Sequence, residues 1–144
     1  MKIKISLLSP FLLLLLLSAC TDHVTPDKIA PTIVTLRYSD DPDEQVPHRY
    51  YKVSFTELGN RPVTEYGVVL RASPENDSSE PTVNDVKKPF SSPVAQSTTL
   101  TQFILLADEP ELSGVFRYSY RAYAITDDGA VVYGSTFSTV YAPL

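Results

Sequence analysis

Phe116-Arg117-Tyr118-Ser119-Tyr120-Arg121-Ala122-Tyr123-Ala124 reads as one long β-strand, because Phe116, Tyr118, Tyr120, Ala122 and Ala124 share one parity and Arg117, Ser119, Arg121 and Tyr123 the other. Successive side chains of a strand point to opposite faces, so this parity puts a nearly continuous apolar row on one side. Asp127-Asp128-Gly129 follows. Asp-Gly between two such runs is a strong hairpin signal, since the turn needs residues that tolerate positive φ. The return strand is expected to start near Ala130 and to run through Val131, Val132, Tyr133, Phe137 and Val140.

Working back from this hairpin, the chain is a series of strand-like runs separated by turn clusters. Residues 33–38 are rich in β-branched side chains, and Ser39-Asp40-Asp41-Pro42-Asp43-Glu44 breaks them. Tyr51, Val53 and Phe55 alternate with Lys52, Ser54 and Thr56, the period of a half-buried strand. Leu58-Gly59-Asn60-Arg61-Pro62 turns the chain into a strand over 63–70. Residues 72–97 are the least regular part, loaded with Ser, Asn and Asp and carrying Pro74, Pro81, Pro89 and Pro93. An edge strand near 83–86 fits there, since proline pushes strands to sheet edges. Residues 98–107 read as a further strand with Leu100, Phe103, Ile104, Leu105 and Leu106, ended by Asp108-Glu109-Pro110-Glu111. No stretch of helical period follows the first twenty residues. The expectation is one all-β domain over 33–144, a β-sandwich of about seven strands.

Tyr118-Ser119-Tyr120-Arg121-Ala122-Tyr123-Ala124, Asp128-Gly129 and Tyr133-Gly134 together resemble the ending of fibronectin type III-like (immunoglobulin-like) domains of bacterial envelope proteins. In those domains a "YVRAYA" strand precedes a glycine turn and a "YG" return strand. Thr64-Glu65-Tyr66-Gly67-Val68-Val69-Leu70 resembles their central "EYGVVW" strand, with Leu70 where tryptophan is frequent. Residues 72–100 do not follow the pattern. The resemblance implies the sandwich fold and gives Tyr118 the part of a structural corner tyrosine, its hydroxyl bonding backbone a few residues upstream while its ring fills the core. It implies no single activity, because such domains serve as spacers, binding modules and adhesin parts.

The beginning of the chain is read as an address. Lys2 and Lys4 precede an uncharged stretch that includes six leucines over 12–17 and ends in Ser18 and Ala19. A charged head, a short apolar core and a small-residue exit are the marks of a secretion signal. The uncharged stretch over 5–19 is shorter than the roughly 20 residues of a spanning helix and is interrupted by Pro10. A retained membrane helix is the lesser alternative. Leu17-Ser18-Ala19-Cys20 resembles the lipobox of bacterial lipoproteins. That resemblance implies cleavage after residue 19, acylation of Cys20 and attachment to a lipid bilayer; the other reading is an ordinary cleavage site beside an incidental thiol. Residues 20–32 are expected to form a polar tether, with Pro26 and Pro31 opposing a helix. The expected location is the cell envelope, at the outer membrane, with the exposed face left open.

Without Lys2 and Lys4 the 12 basic residues become ten against 17 acidic ones, a net charge of −7. Such a balance argues against nucleic acid and against a polybasic membrane patch. Cys20 is the single cysteine, so an intrachain disulfide is ruled out. His23 and His48 share neither a strand nor a metal-ligand spacing, and no serine sits in a nucleophile motif. The chain is therefore expected to be non-catalytic, with no cofactor and no metal. The acidic loop 40–44 lacks the Asp-x-Asp-x-Asp-Gly pattern of calcium loops and reads as a solvated connection rather than a cation site. Among the tyrosines, Tyr123, with Tyr50 or Tyr66, is expected to face outward as a stacking platform for a glycan or a protein partner. The competing expectation is an accessory subunit docked on a larger envelope assembly through an edge strand.

Overall fold

The structure, a computed structural model, describes residues 26–40, 48–105 and 116–141. The signal segment 1–19, Cys20, His23, the tether as far as residue 25 and acidic residues 41–44 lie outside the described residues.

Eight strands carry the fold: β1 (Thr32–Asp40), β2 (His48–Glu57), β3 (Val63–Pro74), β4 (Val86–Pro89), β5 (Thr99–Leu105), β6 (Phe116–Thr126), β7 (Val131–Tyr133) and β8 (Phe137–Tyr141). They form two antiparallel sheets, one ordered β1-β2-β5 and the other β4-β3-β6-β7, with β8 also paired to β6. The all-β expectation is met. β7 pairs with residues 123–125 and β8 with residues 116–120 of the same strand, so the two are one return strand interrupted at residues 134–136. Counted so, the sandwich has seven strand positions.

The parity read from sequence sets the core. Tyr118, Tyr120, Ala122 and Ala124 of β6 are buried against Tyr51, Val53 and Phe55 of β2, with Tyr66, Val68 and Leu70 of β3, Ile33, Leu100, Ile104 and Phe90 in the same cluster. In place of a tryptophan, the interior uses a chain of tilted rings: Tyr38, Tyr51 and Tyr120 at one end, Phe55, Tyr66 and Phe90 at the other, with centroids 5.2–5.8 Å apart. Offset and edge-on contacts of this kind add about 0.5–1.5 kcal/mol each to simple burial. Their hydroxyls find partners, as buried hydroxyls must. Tyr66 donates to the Ser92 carbonyl at 2.6 Å, and Tyr51 and Tyr118 meet hydroxyl to hydroxyl.

Four boundaries differ from the sequence reading. β1 continues through Ser39 and Asp40, which pair with Tyr50 and Arg49 across a register shift. β3 runs on to Pro74, because β6 offers it a partner at every position down to Phe116. The edge strand lies at Val86–Pro89 rather than 83–86, since Val83 and Asn84 are in a turn closed by Asp85, whose amide donates to the Thr82 carbonyl. The expected tether is already part of the body from Asp27 on. Asn60 donates its side-chain amide to the Asp27 carbonyl, accepts from the Ile29 amide, and donates its own backbone N–H to the Ile29 carbonyl, all within 3.0 Å. Gly59, at φ +65°, brings its backbone so close that a Cβ there would overlap the main chain of Ile29 and Ala30.

The irregular segment 75–85 folds back over the outer face of β3 and β6. Arg121 donates to the Pro81 carbonyl and to Glu80, Arg71 bridges Asp77 and Asp85 at 2.9 and 3.0 Å, and Arg117 holds the Glu75 carbonyl. Tyr133 accepts the Val83 amide while its ring stacks under the Arg121 guanidinium, 3.9 Å from the centroid. This cover is why Ser119, Val69 and Tyr123 are buried although they lie on the face turned away from the main core.

Candidate binding face

The three tyrosines expected to make a platform do not come together. Tyr66 is inside the sandwich, 4% exposed, between Phe55 and Phe90. Tyr123 is fully buried beneath the outer-face cover, its hydroxyl donating to Glu65 at 2.8 Å while Lys87 holds the same carboxylate oxygen at 2.8 Å. Burial, and then the neighbouring Glu65 carboxylate, push the Tyr123 phenol well above its ordinary range. The Glu65 carboxyl is lowered, chiefly by Lys87 and then by Tyr123. This arrangement is structural, and the platform expectation is corrected for Tyr66 and Tyr123. Parity misled at Tyr123 because a polar segment far away in the chain covers the face that parity left outward.

Tyr50 does face outward. It lies on β2 beside the buried Tyr51, half-exposed, and its register partner on β5 is Phe103, which is 57% exposed. Leu105, two residues on, also shows on this face, and Leu36, Lys52 and Thr101 form the adjacent row across β1, β2 and β5. The outer face of the three-stranded sheet thus carries two aromatic rings with an aliphatic, a hydroxyl and an ammonium group around them. Rings supply apolar stacking area at small entropic cost, and the polar groups supply orientation. Sequence reasoning counted Phe103 among the apolar residues of its strand without assigning it a face. The signal was present: Leu100 and Ile104 point inward, so a period of two sends residue 103 outward.

The face sits away from the pole where the chain comes in. Glu57 pairs with Thr32 at that pole, and Tyr50 is seven residues along the same strand, about 23 Å at ~3.3 Å per residue. An open hollow of about 490 Å³, lined by residues 58–63 and Val94, lies at the near pole instead.

Tyr118 fills the core as the resemblance implies, 1% exposed, but the hydroxyl contact shown for it is to the Tyr51 side chain. Tyr120, two residues on, ties its hydroxyl to the backbone of β1: it accepts from the Tyr38 amide at 3.0 Å and donates to the Leu36 carbonyl at 3.3 Å. Asp40, first of the acidic run, is bonded at 3.0 Å to Arg49, whose guanidinium lies over the rings of Tyr38 and Tyr118. His48 is the first residue of β2. Asp127 and Asp128 are engaged by Arg61 at 2.6 and 3.0 Å, and Asp128 also by Lys28 at 3.5 Å. Among the described residues no group of three or more His, Cys, Asp or Glu could hold a metal ion. Compared with protein-family models, curated proteins and solved structures, the chain matches none.

Proposed function

We propose that this chain is a lipid-anchored protein of the bacterial cell envelope whose fibronectin type III-like sandwich is a non-catalytic binding module. The observation that carries the binding assignment is the half-exposed Tyr50 in register with the 57% exposed Phe103 on a sheet face remote from the tethered pole. The seven strand positions and the Tyr-rich β6 support the fibronectin-like reading. The lipobox-like Leu17-Ser18-Ala19-Cys20 supports the anchor, and the clamp of Asn60 on residues 27–30, at the pole opposite Tyr50, supports a face directed away from the bilayer. The ligand class that fits two rings with hydroxyl and ammonium neighbours is a glycan, whose apolar sugar faces stack on aromatics.

The test is a glycan array probed with the intact chain and with Phe103→Ser and Tyr50→Ser. Each variant is expected to lose at least tenfold in signal, as aromatic anchors of binding sites do. Val140→Ser, on the other sheet, is expected to keep it. Binding that survives both aromatic changes would remove the face from the assignment. The second reading, an accessory subunit docked on a larger assembly, is favoured by one feature, the uncharged edge of β5.

A further inference from the structure

β1 is an end strand of the smaller sheet and β8 of the larger, and between them lies a cleft of about 260 Å³ lined by Arg37, Tyr38, Tyr120, Phe137, Ser138 and Thr139. A β-bulge shapes it. Leu36 pairs with Lys52 and Ser39 with Tyr50, so β1 spends one residue more than β2 over this stretch. Alternation from the buried Ile33 and Thr35 would turn Arg37 into the core. The extra residue lets Tyr38 take that place, its ring against Tyr51 and Tyr120, and leaves Arg37 exposed on the cleft wall. Every other arginine of the chain is engaged: Arg49 by Asp40, Arg61 by Asp127 and Asp128, Arg71 by Asp77 and Asp85, Arg117 by the Glu75 carbonyl and Arg121 by Glu80. Among the described residues the Arg37 guanidinium has no hydrogen bond or ion pair, and neither has the exposed Thr139 hydroxyl contributed by β8. The Tyr120 and Phe137 rings of the lining stack on each other, 5.4 Å between centroids and 13° between planes.

We propose that this cleft binds an acidic sugar, its carboxylate held by Arg37. A guanidinium presents paired N–H donors that match the two oxygens of a carboxylate. The charge selects a monoanion. Arg49, whose guanidinium lies over the Tyr38 ring, is already neutralised by Asp40 at 3.0 Å, so the cleft offers one net positive charge and would undermatch a phosphate dianion. The stacked rings offer apolar area to the face of a sugar, and the Thr139 hydroxyl offers a partner to one of its hydroxyls. The volume is below the ~300 Å³ at which pockets for larger organic ligands begin, which suits a single sugar unit. A peptide carboxylate fits less well. A peptide at a sheet edge gains its affinity from main-chain ladder bonds, and here the Tyr38 amide and the Leu36 carbonyl are already bonded to the Tyr120 hydroxyl. The negative net charge of the chain opposes an anion only weakly, because exposed charges more than ~8 Å away are screened. The cleft is separate from the face of Tyr50 and Phe103, and the proposal does not depend on that face binding a glycan.

The test titrates the isotopically labelled intact chain with glucuronate, with glucose and with an N-acetylated peptide that ends in a free carboxylate, following the amide resonances by NMR. Glucuronate is expected to shift the Arg37, Tyr38 and Thr139 amides first and to bind about tenfold or more tightly than glucose, the scale of a charge-assisted hydrogen-bonded pair. Arg37→Gln, at an exposed position, is expected to weaken glucuronate by the same factor and to leave the rest of the spectrum unchanged. Thr139→Val is expected to weaken it less, about a few-fold, the scale of a neutral hydrogen bond. Lys88→Gln removes the same charge from β4, at the other end of the larger sheet, and is expected to change nothing. Four results would overturn the proposal: glucuronate binding no better than glucose, Arg37→Gln binding glucuronate as before, an equal loss in Lys88→Gln, or the peptide binding at the same residues more tightly than glucuronate.

Discussion

At Thr35 a single hydroxyl joins the two sheets. β7 ends at Tyr133 and β8 begins at Phe137, which leaves the Ala122 amide without a ladder partner on that side, and Thr35 supplies the acceptor at 2.9 Å while itself 3% exposed. Gly134 makes the approach feasible, since a Cβ there would overlap the Thr35 amide nitrogen. Thr35→Val keeps the shape and removes the acceptor, so it strands a buried N–H. The expected loss is about 1–3 kcal/mol in urea unfolding, against no measurable change for the exposed Thr98→Val. Gly59 supports a second argument at this scale. Its positive φ and its contact with Ile29 and Ala30 exclude a side chain, so Gly59→Ala is expected to destabilise by at least ~1 kcal/mol. It should also raise hydrogen exchange at the Ile29 and Asn60 amides first. Equal exchange in both proteins would mean that the clamp is not formed there.

At the scale of elements, the legible parts were those whose neighbours lie close in sequence or whose alternation is unbroken. β2, β6 and the Asp128-Gly129 turn were readable because a period of two and an obligatory positive φ are local properties. The last four residues of β3 were not, since Arg71-Ala72-Ser73-Pro74 has no apolar alternation and is strand only because β6 pairs with it. Segment 75–85 was illegible for the same reason: Arg117 and Arg121, which hold it, come some 40 residues later. Half of the candidate face was therefore readable. Tyr50 was named, Phe103 was seen without its direction, and Tyr66 and Tyr123 were placed outside when one belongs to the core and the other lies under a cover. That cover has a pH dependence of defined sign. The bonds from Ser79, and then Arg71, hold the Asp77 carboxyl down at about 2. A depressed folded-state value means the stabilisation is complete above the ordinary carboxyl range and is lost as pH falls from about 4 through about 2. The expected readout is hydrogen exchange at the Ser79 and Val83 amides, rising in that window before the β2 and β6 amides respond. Arg71→Ala should produce the same pattern at neutral pH.

For the whole molecule, the strand directions sort the surface into two poles. The incoming segment 27–30, the turn at 58–62 and the Asp127-Asp128-Gly129 turn gather at one, tied by Arg61, Lys28 and Asn60, while Tyr50, Phe103 and Leu105 lie toward the other. Only six residues lie between Cys20 and Asp27, so the spacer reaches at most about 25 Å even when fully extended. If Cys20 is acylated, a body held that near to a bilayer with its incoming segment pinned would present its far end outward. The arrangement has this meaning only if Cys20 is acylated. Removing the sulfur by Cys20→Ser is therefore expected to abolish incorporation of labelled fatty acid and to leave a precursor heavier by the 19 residues that precede it. The folded body is expected to be unchanged, because its disulfide-free core draws nothing from that position. Two or three acyl chains hold far more firmly than one, at ~0.8 kcal/mol for each buried CH₂, so the unaltered protein should stay with membranes through high salt, whereas an electrostatic attachment would wash off. Processing to the same mature size without label, or an amino terminus found at Met1, would separate the sandwich from the membrane and leave its two poles without an inside and an outside.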